Sequence, residues 1–246
     1  MSRKVQLEQA YKAVVEEIKQ VCESLNRPVP NLVAVSKYKP AEDIQTLYDL
    51  GHRHFGENYV QELSEKAKVL PKDIHWHFIG NLQSNKVKIV REVPSLSVVE
   101  TLDSEQKATK LNAQRSQINT PLSVFLQINT SDEPQKAGIH VEDYATIESL
   151  CKHVESLEFL HLEGLMTIGS VEQSKQSEVG AENKDFTALG NLREKLNSSL
   201  NLNLGLSMGM SSDYIQAIKQ GSTNIRVGSH IFGGRVTKEE IKSASN

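Results

Sequence analysis

A short apolar run, a small or polar turn and an amphipathic helical stretch recur in that order eight times along this chain. The runs are Asn31–Val35, His54–Gly56, His75–Ile79, Leu96–Val99, Leu122–Ile128, Phe159–Leu165, Asn203–Leu206 and Thr223–Val227. Several are nearly continuous in apolar residues, as parallel strands covered on both faces are. Helical spacing fills the intervals. It gives Ala41–Leu50 with Gly51 as its C-cap, Tyr59–Leu70 before Pro71, and a basic Ser84–Val93 before Pro94. Further helices are expected from a cap at Asp103 to Arg115, over Val141–His153 and Asn183–Asn197, and up to Lys219. Residues 170–182, rich in Ser, Gln, Glu and Gly, are expected to form a mobile loop.

Such alternation, with no gap long enough for another domain, is what a closed (β/α)8 TIM barrel requires, so residues 1–246 are expected to form a single α/β domain. An open doubly wound sheet is the competing architecture. The barrel is favoured by an extra amphipathic helix over Ser2–Leu25, able to cover the barrel floor, and by the chain ending soon after its eighth unit.

A net charge of −3 and the lack of any long single-sign run give no electrostatic reason to expect nucleic acid or a membrane as partner. No apolar run approaches the roughly 20 residues needed to span a bilayer. With only Cys22 and Cys151, far apart, the thiols read as reduced, and the N-terminus lacks a signal core. The cytoplasm is the expected compartment, and a mitochondrial pool is compatible with it.

In a barrel the chemistry lies at the carboxyl ends of the strands. This sequence places there Lys37, Asn58, Gly80-Asn81, Glu100, Asn129, Met166-Thr167, Ser207-Met208 and Arg226 with Gly228-Ser229. Packing asks for no ammonium at the end of a buried strand, and desolvation favours the amine that attacks carbonyls. The alternative is a Lys37 that only snorkels into water. Ser207-Met208-Gly209-Met210-Ser211 and Gly228-Ser229 put hydroxyls and free N–H groups at helix starts, where an anion is favoured. Loops after the seventh and eighth strands are where many barrels hold phosphate. An amine opposite a phosphate cradle points to a phosphorylated aldehyde, and pyridoxal 5′-phosphate satisfies both ends. His75 and His77 share a strand face, but a third metal ligand is not evident at suitable spacing, and no GxGxxG or P-loop occurs.

Six blocks carry a resemblance to a known family: Val35-Ser36-Lys37, His54 to Asn58, His77 to Gln83, Gly164 to Gly169, Leu206 to Ser211 and Arg226-Val227-Gly228. In order and spacing the chain resembles the pyridoxal phosphate homeostasis proteins, which are similar to the N-terminal barrel of alanine racemase and bind the cofactor without a firmly established reaction. The resemblance implies that Lys37 is the Schiff-base lysine and that Ser207, Ser211, Gly228 and Ser229 hold the phosphate. It also implies that Asn58 and Met166 line the ring, that Met208, in the turn with Ser207 and Ser211, belongs to the cofactor-binding set, and that Arg226 faces the pyridine nitrogen. An arginine keeps its proton, so it leaves that nitrogen unprotonated and the ring a poor electron sink.

The expected function is a non-catalytic carrier, a monomer that holds pyridoxal phosphate reversibly and buffers it or delivers it to apo-enzymes that depend on it. An amino-acid racemase of the alanine racemase type is the second reading. It needs two opposed bases, and in alanine racemase one comes from a further domain for which this chain has no residues left. Weak racemase side activity is compatible with the carrier reading. A cofactor-free Schiff-base aldolase is the third reading, and it predicts a colourless protein.

Overall fold

The computed structural model describes residues 1–131, 133–178 and 180–234. In chain order the elements are α1 (Arg3–Ser24), β1 (Asn31–Val35), α2 (Ala41–Asp49), β2 (His54–Glu57), α3 (Val60–Val69), β3 (His75–Phe78), α4 (Ile89–Glu92), β4 (Leu96–Leu102), α5 (Glu105–Ser116) and β5 (Leu122–Asn129). They continue with β6 (Ile139–His140), α6 (Tyr144–Glu155), β7 (Leu160–Met166), α7 (Val171–Glu178), α8 (Lys184–Leu200), β8 (Gly205–Ser207), α9 (Tyr214–Lys219), β9 (Asn224–Val227) and α10 (Ser229–Phe232). Every strand pairing is parallel. The order β4-β3-β2-β1-β9-β8-β7-β5 closes on itself through β4 and β5, with the two-residue β6 added beside β5. The expected closed eight-stranded barrel is what forms, and the open sheet is not. Its slimmest seam is β8 against β9, where Ser207 opposite Asn224 is the register pair.

Strand residues alternate between two layers. Ala34, Phe55, Trp76, Phe78, Val99, Val124, Leu126, Leu165, Leu206 and Ile225 join the apolar layer shared with the helices. Their neighbours in sequence face the barrel interior, which is polar in its middle, with His77, Glu100, Ser207, Asn224 and Arg226 all buried.

Four local expectations are corrected. Residues 171–178 form α7, whose sparse apolar content is offset by hydrogen bonds to other segments: Ser174 Oγ donates to Asp213 and Ser177 Oγ accepts from Asn183 Nδ2 at 3.1 Å. The Ser84–Val93 helix shrinks to Ile89–Glu92, because the preceding residues close i to i+3 turns such as Lys86 N–H to the Gln83 carbonyl. Ser104, not Asp103, caps α5, and Asp103 pairs with Lys107 instead. Finally, α1 lies against α2, α9 and α10 on the outer ring, not on the floor. Its buried stripe Leu7, Val14, Ile18 and Cys22 packs there, and Arg3 bonds both Asp43 of α2 and the Phe232 carbonyl of α10. At the end of α2, Gly51 (φ +95°) sits in the expected capping role, with His52 N–H bonded to the Leu47 carbonyl.

Candidate cofactor site

A cavity of about 650 Å³ opens at the carboxyl ends of β1, β2, β7 and β9. Lys37, Asn58, Met166, Ser211, Arg226, Gly228 and Ser229 line it together, so most of the residues singled out in the sequence meet in one place.

Lys37 follows β1 in a turn that α3 builds from behind. Lys66 of α3, nearly buried, donates to the Ser36 carbonyl at 2.8 Å, to Glu57 Oε1 at 2.6 Å and to Glu62 Oε1 at 2.7 Å. Ser36 Oγ donates to Glu57 Oε1 at 2.6 Å, and Tyr38 N–H donates to Glu62 Oε1 at 2.6 Å. These contacts hold Tyr38 in the left-handed region at φ +61°, which a bulky residue adopts only when its surroundings impose it. Burial pushes the Glu57 carboxyl up to about 7, against the pull of Lys66. Lys37 itself is half-buried, and among the described residues its amine has no hydrogen bond or ion pair.

Asn58 comes next. Its amide oxygen is buried and unpartnered. The end of β3 passes so close that a Cβ on Gly80 would stand 2.0 Å from the Asn58 carbonyl, so only glycine fits there.

The floor of the cavity is Arg226, 3% exposed. Its Nη1 donates to Ser207 Oγ at 2.5 Å and its Nη2 to the Thr167 carbonyl at 2.9 Å. Burial works against the guanidinium charge, and the Glu100 and Asp213 carboxylates oppose that effect.

Two turns form the far wall. Ser211 Oγ accepts from Gly228 N–H at 3.2 Å and so joins the β8–α9 turn to the β9–α10 turn. Met210 N–H donates to Asp213 Oδ1 at 2.7 Å. Gly209 (φ +99°) lets the first turn lie on α9, where a Cβ would come within 2.5 Å of Ala217. Ser212, Ser229 and His230 complete the wall.

Two expected contacts do not reach the cavity. Ser207 is fully buried beneath Arg226, and Met208, one residue along, faces outward into the helix layer, as strand alternation dictates. Gly80-Asn81, Glu100 and Asn129 are also absent from the lining. The Asn129 amide reaches the Glu133 carbonyl instead. His77 points inward but bonds Glu100 and His54, and no cluster of three metal-competent side chains occurs among the described residues. The sequence reading overlooked Tyr38, Lys39, Ile79, Ile168, Met210, Ser212 and His230 as lining residues. Ser212 and His230 adjoin residues already chosen, whereas Ile79 and Ile168 carried no signal apart from apolarity.

An unpaired amine, an unsatisfied amide, a fixed guanidinium and hydroxyl-bearing turns around one cavity fit a flat, phosphorylated aldehyde carrying a ring acceptor. Comparison with known proteins agrees. The model of the alanine racemase N-terminal domain matches residues 10–236. The pyridoxal phosphate homeostasis protein of Schizosaccharomyces pombe is 47% identical over 220 residues, 89% of this chain and 90% of that one. The chain belongs to the pyridoxal phosphate homeostasis protein family. The human homeostasis protein is 43% identical over 241 residues, covering 92% of this chain and 86% of its own. Among solved structures, PipY of Synechococcus elongatus with pyridoxal phosphate bound superposes with a TM-score of 0.70 at 32% identity, covering 88% of this chain and 100% of PipY.

Proposed function

We propose that this homeostasis-family chain binds pyridoxal 5′-phosphate reversibly and buffers or delivers it within the cell. One observation carries the reading: the free Lys37 amine and the joined Ser211, Gly228 and Ser229 turns face each other across a single cavity floored by Arg226. When bound, the cofactor supplies an aldehyde that an amine can take up and release. Lys37 offers that amine from a turn that Lys66 and Glu62 hold still. The Ser229 and Ser211 turns would receive the phosphate, Asn58 and Met166 would flank the ring, and Arg226 would present a permanent cation to the ring nitrogen. A ring left unprotonated would withdraw electrons poorly, which suits a carrier better than a transaminase, while a racemase would need a second, opposed base.

The carrier is read as a cytoplasmic monomer that passes its cargo to apo-enzymes. Its two cysteines are buried and unpaired, and no helix among the described residues is long and apolar enough to cross a membrane.

The test is the visible absorption of the purified protein after addition of pyridoxal phosphate, beside a Lys37→Ala variant. A visible band in the parent, absent from the variant and fixed to a Lys37 peptide by borohydride, supports the reading. A protein that stays colourless overturns it and sends the cavity to be tested with sugar phosphates. Assays for amino-acid racemisation on the same sample separate carrier from enzyme.

A further inference from the structure

Below Arg226 the barrel interior holds a hydrogen-bonded column of polar groups that the cavity does not touch. At its centre is Glu100 of β4, 0% exposed. It accepts from Ser207 Oγ at 2.5 Å, from His77 Nδ1 at 2.7 Å and from Asn224 Nδ2 at 3.0 Å, and it lies 3.8 Å from Arg226 Nη1. On its other side His77 Nε2 meets His54 Nδ1 at 3.0 Å, and the His54 ring stacks on His75 with centroids 5.0 Å apart. Asp213 is the other carboxylate acting on Arg226.

Ser207 decides the polarity of this column. Its hydroxyl has one proton, and three groups approach it: the Arg226 guanidinium at 2.5 Å, the Asn224 amide nitrogen at 3.0 Å and the Glu100 carboxylate. The first two can only donate and the third can only accept. The Ser207 proton therefore goes to Glu100, and both lone pairs are left for the donors. Burial alone would raise the Glu100 carboxyl, but His77, Arg226 and Ser207 outweigh it and hold the group below its ordinary value.

We propose that Glu100 is a positioning residue for Arg226. Through the Ser207 hydroxyl its carboxylate fixes the guanidinium in the orientation that a bound heteroaromatic ring nitrogen meets. Replacing Glu100 by glutamine keeps the shape but supplies an amide donor, which can turn the Ser207 proton toward Arg226 and set donor against donor. The inference rests on the proposed binding of pyridoxal phosphate, and it concerns the ring nitrogen alone.

Two ligands separate the possibilities: pyridoxal phosphate, and its carbocyclic analogue with C–H in place of the ring nitrogen. Dissociation constants are measured for both with the full chain and with Glu100→Gln. The expected result is a loss of about tenfold for pyridoxal phosphate, the worth of one good hydrogen bond, with the analogue changed less than about twofold. A parallel loss for both ligands, or no loss for either, overturns the proposal, because a merely structural ion pair does not distinguish nitrogen from carbon. If Glu100→Gln does not fold, Ser207→Ala, which leaves the carboxylate with His77 and Asn224, is measured against the same criteria. If the parent chain binds neither ligand, the binding reading fails and this inference falls with it, an outcome distinct from the parallel loss.

Discussion

Behind Lys37 stands a second lysine that cannot do the same chemistry. Lys66 spends its ammonium on the Ser36 carbonyl, Glu57 and Glu62, and is 7% exposed. Lys37, half-buried on the far side of the Ser36 carbonyl that Lys66 holds, has no such partners among the described residues. Replacing Lys66 by methionine removes the cation from Glu57, whose carboxyl, already pushed up to about 7, then takes up a proton; the lost hydrogen bonds should cost about 1–3 kcal/mol in stability as measured by urea unfolding. The Lys37 turn also loses its anchor, so cofactor binding should weaken in the variant that still folds. At this scale the sequence was informative where a residue type was out of place for packing. A lysine at a buried strand end and an arginine in a strand invite explanation. Ser207 and Met208 were misjudged because a strand end was treated as one point, whereas successive side chains there face opposite layers.

The wall proposed to receive the phosphate is an assembly of elements more than of side chains. Asp213 ties three of them: it accepts from Met210 N–H in the β8–α9 turn, receives Ser174 Oγ of α7 at 2.5 Å, and stands just before α9. Substituting Asp213 by alanine should therefore loosen the turn that meets the phosphate. Binding of pyridoxal phosphate is expected to fall about tenfold while that of unphosphorylated pyridoxal barely changes, which paired binding titrations measure. Equal losses would place Asp213 in general stability instead. The role of α7 was invisible in the sequence, since hydrophobic periodicity reports only helices held by apolar faces. Ser174 and Ser177 hold this one through hydroxyls, bonded to Asp213 and to Asn183, 39 and 6 residues away. The Ser84–Val93 segment departs in the opposite sense, with helical composition ahead of Pro94 but turns in place of the helix before Ile89.

For the molecule as a whole, the barrel was legible because eight repeats of one unit leave few alternatives, and parallel strands advertise their burial on both faces. What could not be read was the polar middle of the barrel, since its members look like isolated polar residues until closure brings β3, β4, β8 and β9 together. Closure also sets the response to acid. His52 is buried between α1 and the barrel, with Nδ1 facing the Tyr11 hydroxyl at 3.2 Å and Nε2 facing the His54 carbonyl at 2.7 Å. Burial lowers its pKa to about 4, below the ordinary 6.5. The unfolded chain thus takes up a proton between about pH 6.5 and 4 that the folded chain refuses at His52, so the His52 contribution falls as pH drops through that window, while Glu57, raised to about 7, contributes in the opposite sense. The His52 term should amount to about 2 kcal/mol between pH 7.5 and 5, read as the difference between the parent and His52→Gln in how far their urea-unfolding stability shifts between the two values.

In the proposed binding the ligand's two ends would meet the first and the last strand units of the barrel. Lys37 follows the first strand, while Ser211, Arg226 and Ser229 belong to the last two units, and they are neighbours only because β9 pairs with β1. A ribosome that has finished β7 has made the amine and none of the cradle. Loading must wait for the last units to emerge, so a newly made chain can carry the vitamin only after its ring has shut.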